Sequence, residues 1–184
     1  MIYDLPTSVE IGGVDYKIRS DYRAILDIMT ALVDPELDGR EKAFITLDIF
    51  YPDFEAIPPE LYREAVDACF AFIDHGAGEN KKPSPRLMDW EQDFSYIVAP
   101  INRVAGKEIR AVEYLHWWTF LSYFYEIGGD CTFAQIVSIR SKLAKGKKLD
   151  KTDREWLREN RDLVDFKRKY ADSDKEALAE LGIK

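Results

Sequence analysis

Large apolar residues recur every three or four positions along most of this chain, and nearly every such run is cut off by a proline or a glycine. That spacing puts the apolar side chains on one face of a helix, and the breakers keep each helix short. A short helix cannot bury its stripe alone, so the stripes must pack on one another. The pattern predicts a mainly α protein: an N-terminal β-hairpin followed by about seven helices in two small helical modules.

The hairpin is read from Val9–Ile11 and Val14–Ile18, which flank Gly12-Gly13, a pair suited to the positive φ angles of a two-residue turn. A lone hairpin is marginal, so helices or a further strand from Ile2 and Tyr3 must cover its apolar face. Ser20 is the expected N-cap of a first helix carrying Tyr22, Ile25, Leu26, Met29, Leu32 and Val33, ended by Asp34-Pro35. A second helix carries Ala43, Phe44, Leu47, Phe50 and Tyr51 and stops at Pro52. Pro58-Pro59 opens a third, with Tyr62, Ala65, Val66, Cys69, Phe72 and Ile73 on its stripe and His75-Gly76 closing it.

Residues 77–86 hold glycine, proline, serine and charge without a large apolar group, the composition of a linker. The expected organisation is an acidic hairpin and three-helix module at 1–76, the linker at 77–86, a four-helix module at 87–170, and a weakly ordered polar tail at 171–184. In the second module Leu87, Trp90, Phe94, Ile97, Val98, Ile101 and Val104 form a stripe that Pro100 should kink or split and Gly106 should end. Val112–Ile127 is so rich in aromatic residues that it reads as a central helix enclosed on all sides. After a turn at Gly128-Gly129-Asp130, Phe133, Ile136, Val137, Ile139 and Leu143 mark a helix with a basic outer face. Trp156, Leu157, Asn160, Leu163 and Val164 mark a last helix, capped by Asp150 or Thr152.

At 46% hydrophobic and 13% aromatic, the chain is too rich in large apolar groups for intrinsic disorder. Its net charge of −8 opposes general nucleic-acid binding, but the charge is uneven. Residues 1–80 hold 17 acidic against 6 basic side chains, and the remainder 17 against 20. Two faces with different electrostatic partners, or merely solvated helix surfaces, would each produce that split. No signal-peptide pattern and no membrane-length apolar run is seen, which fits the cytoplasm.

The chemistry-bearing residues do not assemble into a catalytic pattern. Cys69 and Cys131 are far apart in apolar surroundings and read as reduced core residues. His75 and His116 lack a second histidine or cysteine at metal-ligand spacing. There is no Gly-x-Ser-x-Gly, and Gly76-Ala77-Gly78 lacks the Lys-Ser/Thr ending of a phosphate loop. Asp89, Glu91 and Asp93 could do acid–base work or bind Mg²⁺, but acids at a helix start are favoured by the helix dipole alone. The sequence therefore identifies no catalytic, cofactor-binding or metal-binding residue, and it does not mark which residues bind a partner. One basic run, Arg140, Lys142, Lys145, Lys147, Lys148 and Lys151, could contact phosphates beside Trp156, bind an acidic protein or the chain's own acidic first half, or simply be solvated.

Three stretches carry a family resemblance: Asp89–Asp93, Leu115-His116-Trp117-Trp118-Thr119-Phe120, and Phe133–Arg140. Over roughly residues 87–165 the chain resembles tail proteins of long-tailed, siphovirus-type phages of Gram-positive bacteria, encoded between the major tail protein and the tape measure, and the N-terminal half matches more loosely, as an acidic helical region behind a short β segment. The resemblance implies a non-enzymatic tail-assembly chaperone that binds the tape-measure protein in the host cytoplasm and is absent from the mature virion. It also implies possible contacts with the major tail protein or with further copies of itself, and no membrane or cofactor. Two alternatives stand beside it: a small nucleic-acid-binding or regulatory phage protein using 140–151, and a structural completion or connector protein of the tail.

Overall fold

A computed structural model describes residues 4–74 and 85–167. They fall into two compact units. Ile2, Tyr3, His75-Gly76, most of the expected linker and the expected tail lie outside the described residues. The chain is mainly helical, with the expected two-stranded hairpin and eight α-helices among the described residues.

In the first unit, β1 (Ser8–Ile11) pairs antiparallel with β2 (Val14–Lys17), Ile11 opposite Val14. Gly12 and Gly13 take φ of 56° and 79°, as the turn requires. Gly12 is doubly constrained, because a Cβ there would stand 2.7 Å from Leu61 Cδ1. Its N–H donates to Glu64 Oε1 at 2.9 Å, and Ile11 is fully buried, so the third helix, which carries Glu64, packs on the hairpin.

Helix α1 (Tyr22–Leu32) is capped by Asp21, whose carboxylate accepts from Arg23 N, and not by Ser20, which is buried. Its buried line is Tyr22, Ile25 and Ile28, and Val33 ends up exposed. Helix α2 (Gly39–Phe50) opens with a capping box: Asp38 accepts from the N–H groups of Arg40 and Glu41, and Glu41 accepts from Asp38 N. Those backbone donors hold the Asp38 carboxyl below its usual range. Arg19 donates to the carbonyls of Asp48 and Ile49, orphaned at the end of α2.

The sequence Pro58-Pro59 starts a 3₁₀ turn, Pro59–Leu61, that runs into α3 (Tyr62–Ile73). Ala65, Cys69, Phe72 and Ile73 are buried on α3, as its stripe requires. Phe50 meets Tyr51 edge-on at 4.8 Å and Phe72 at 5.4 Å, and Tyr51 Oη donates to Ala65 O at 2.8 Å. Burial raises the Cys69 thiol to about 12. Cys131, by contrast, is only half-buried, and its Sγ caps the sixth helix by accepting from Ala134 N. Native protein at neutral pH is therefore expected to label rapidly at Cys131 with an aromatic disulfide reagent, and at Cys69 only on unfolding. Two equally fast thiols would contradict the packing of α3.

In the second unit, α4 (Trp90–Ala105) runs unbroken through Pro100 and ends at Gly106, in the left-handed region with φ 67°. The aromatic segment departs from expectation. Residues 109–111 form a 3₁₀ turn, Val112 is extended, and α5 begins only at Trp117, running to Tyr125. Glu108 organises the turn: Arg110 and Asn102 donate to its carboxylate, and Asn102 Oδ1 accepts from Ile109 N. The Arg110 guanidinium is the main cause of a Glu108 carboxyl lowered to about 2.

His116 starts α5 by accepting from Trp118 N through Nδ1, a cap that residue type alone does not signal. Nor is α5 enclosed. Trp117, Phe120 and Leu121 are buried, whereas Tyr125 is 72% exposed. Helix α6 is Thr132–Ala144. The expected last helix is two: α7 (Lys151–Glu159), capped by Asp150, and α8 (Arg161–Val164), separated at Asn160. Asn160 donates its side-chain amide to Trp156 O, closing α7.

Candidate functional site

The deepest polar feature of the second unit is a buried ion pair. Asp93 on α4 and Arg140 on α6 have side chains 1% and 3% exposed, and Nη1 stands 2.6 Å from Asp93 Oδ2. Nη2 reaches Asp93 Oδ1 at 3.1 Å. The remaining Arg140 bonds go to main-chain carbonyls of Leu87, Leu163 and Val164, so all five guanidinium protons are used. The guanidinium also lies over the Phe166 ring at 4.1 Å. Asp93 in turn accepts from Asp89 N, and Asp89 caps α4 and pairs with Arg86. Nothing about this arrangement presents a reactive group to solvent. It ties α6 to the start of α4 and to the end of α8.

Two sequence readings change here. Arg140 is not part of a basic surface, because it is spent inside the unit. Asp93 is more than a dipole-favoured acid, because it is the partner of a buried cation. The signal lay in the phase of the stripes: Asp93 precedes Ile97 and Ile101 by four and eight positions, and Arg140 follows Phe133 and Ile136 by seven and four. Lys142 is also engaged, by Asp153 at 2.5 Å, which raises its pKa. The exposed part of the run is Lys145, Lys147, Lys148 and Lys151.

The surface features suited to a partner are apolar. In the second unit a shallow groove of about 490 Å³ runs along α6, lined by Leu87, Phe124, Ile127, Phe133, Ala134 and Val137. Tyr125 stands at its edge. Phe124 and Phe133, 5.8 Å apart, form its floor, and Trp90 backs Phe124 at 5.0 Å. In the first unit Phe44 is 51% exposed and meets Phe54 and Tyr62 at 5.1 and 6.5 Å. Among the described residues no three histidine, cysteine or acidic side chains cluster in a way that could hold a metal ion. No helix among them is long and apolar enough to cross a membrane.

These features define a mainly helical protein that carries an apolar groove and an exposed aromatic residue at its surface. The chain matches the family described as Bacteriophage Gp15 protein over residues 1–166, and it belongs to that family. The match takes in the first unit as well as the second. No curated protein and no solved structure matches the chain.

Proposed function

We propose that this phage protein is a tail-assembly chaperone that binds the tape-measure protein during tail morphogenesis and carries out no chemistry itself. The observation that carries the reading is the α6 groove. Its floor is aromatic and aliphatic, its edges are Ser138, Ser141 and the exposed Tyr125, and its size matches a few side chains on one face of a helix. A tape measure is a long helical client whose apolar stripe must be kept from aggregating before the tube forms around it. A shallow groove gives modest affinity per copy, which suits a partner that is later released, and many copies along one client supply the strength. Membership of a phage family supports the setting in which such a client is made.

The test is co-expression with the tape-measure protein of the same phage, followed by pull-down and a solubility assay. The wild-type chain is expected to hold the tape measure in the soluble fraction. Val137→Asp, which puts a charge in the groove at a half-buried position, is expected to lower recovery at least tenfold while the chain itself stays soluble. Recovery unaffected by Val137→Asp would move the binding site elsewhere, and an insoluble, unbound tape measure would end the chaperone reading. Stoichiometric amounts in purified virions would instead mark a structural tail component.

A further inference from the structure

The first unit carries a surface that the tape-measure reading does not use. Phe44, Phe54 and Tyr62 form an edge-to-face cluster, with Phe44 half in solvent. Beside it, Asp48, Asp53 and Glu55 line a depression of about 470 Å³ that has Phe54 in its wall. The depression and the half-exposed Phe44 ring behind Phe54 together make a cup lined by carboxylates, and its charge suits a cationic, partly apolar partner.

The second unit presents that chemistry. At the end of α6, Leu143 is 46% exposed, and the following turn, with Gly146 at φ 62°, carries Lys145, Lys147 and Lys148, all exposed. Lys151 adds a fourth cation, only loosely engaged with Glu155 at 3.9 Å. Together they make an apolar tip surrounded by lysines. The acidic excess of residues 1–80 and the basic excess of the remainder carry the same complementarity across the whole sequence.

We propose that the occupant of the cup formed by Asp48, Asp53, Phe54 and Glu55 beside Phe44 is the Leu143–Lys148 knob of a second copy of this chain. Cup and knob are different surfaces, so the contact is head-to-tail and assembly can continue beyond a dimer. The product is a series of oligomers whose size grows with concentration. Because the carboxylates and lysines are exposed, screening weakens the contact.

The experiment is sedimentation velocity on the nuclease-treated full chain across concentration and salt. Wild type is expected to form a concentration-dependent series of oligomers whose apparent dissociation constant rises about tenfold between low and moderate salt. Phe44→Ala with Asp53→Lys should remove the cup, and Lys145→Glu with Lys147→Glu and Lys148→Glu should remove the knob, each leaving monomers. Circular dichroism checks that both variants are folded. Mixed in equal amounts, the two should form a dimer and nothing larger, since only one intact cup and one intact knob remain. A wild type that stays monomeric at every concentration, assembly lost on nuclease treatment, or a mixture that fails to dimerise would each overturn the proposal. None of these readouts involves the tape measure, so failure here and failure of the chaperone reading are separate results.

Discussion

Arg140→Met is expected to lower the stability of the second unit by about 3–5 kcal/mol, measured by urea denaturation. The substitution keeps much of the side chain's volume but leaves Asp93 a buried carboxylate with only the Asp89 N–H to satisfy it. It also strips donors from the carbonyls of Leu87, Leu163 and Val164. Asp93→Leu breaks the pair from the other side and should cost a similar amount. The double variant Asp93→Leu/Arg140→Met removes both charges together, so its cost should fall short of the sum of the singles by at least about 1 kcal/mol. It should not return to wild type, because the carbonyls stay unpaired. A cost below about 1 kcal/mol for either single variant would contradict the burial of this pair.

Trp117→Ala is the second large effect, again about 3–5 kcal/mol. Trp117 is 1% exposed, stacks on Phe120 at 5.5 Å and meets Trp90 at 6.0 Å, so truncation opens a cavity among rings that cannot close over it. Tyr125, eight positions later on the same helix, is 72% exposed, and Tyr125→Ala should change stability by no more than about 0.5 kcal/mol. Near-ultraviolet circular dichroism should report the loss of packed rings in the first variant and little change in the second. If both variants melt alike, α5 does not present the two faces described.

The contrast between Trp117 and Tyr125 shows where sequence reading stops. A run of aromatic residues fixes that a segment is apolar, but not which side of it meets neighbours. Burial on one side of α5 and exposure on the other follow from where α4 and α6 lie, which is not local information. The same limit explains Arg140. Basic residues at successive positions look like one surface, yet Arg140 shares the buried phase of Phe133 and Ile136 while Lys145 and Lys148 lie beyond the helix end. The Val112 boundary was lost for another reason: the cap of α5 is a histidine, outside the small polar set that sequence rules recognise.

Local physics was enough for the elements whose boundaries are set by backbone chemistry. Two glycines at positive φ made the hairpin turn, Gly106 stopped α4, Pro58-Pro59 opened the approach to α3, and the Ala65–Cys69–Phe72 stripe faced inward. Each depends on φ preferences or on side-chain period within a few residues, and those are properties of the sequence alone. The tertiary structure decided what lies between partners distant in sequence. It paired Asp93 with Arg140, placed Phe44 at the surface despite its apolar stripe, and opened a groove where α6 meets the end of α5. Those outcomes depend on which faces meet, and burial is a property of the assembled unit rather than of any one stretch of the chain.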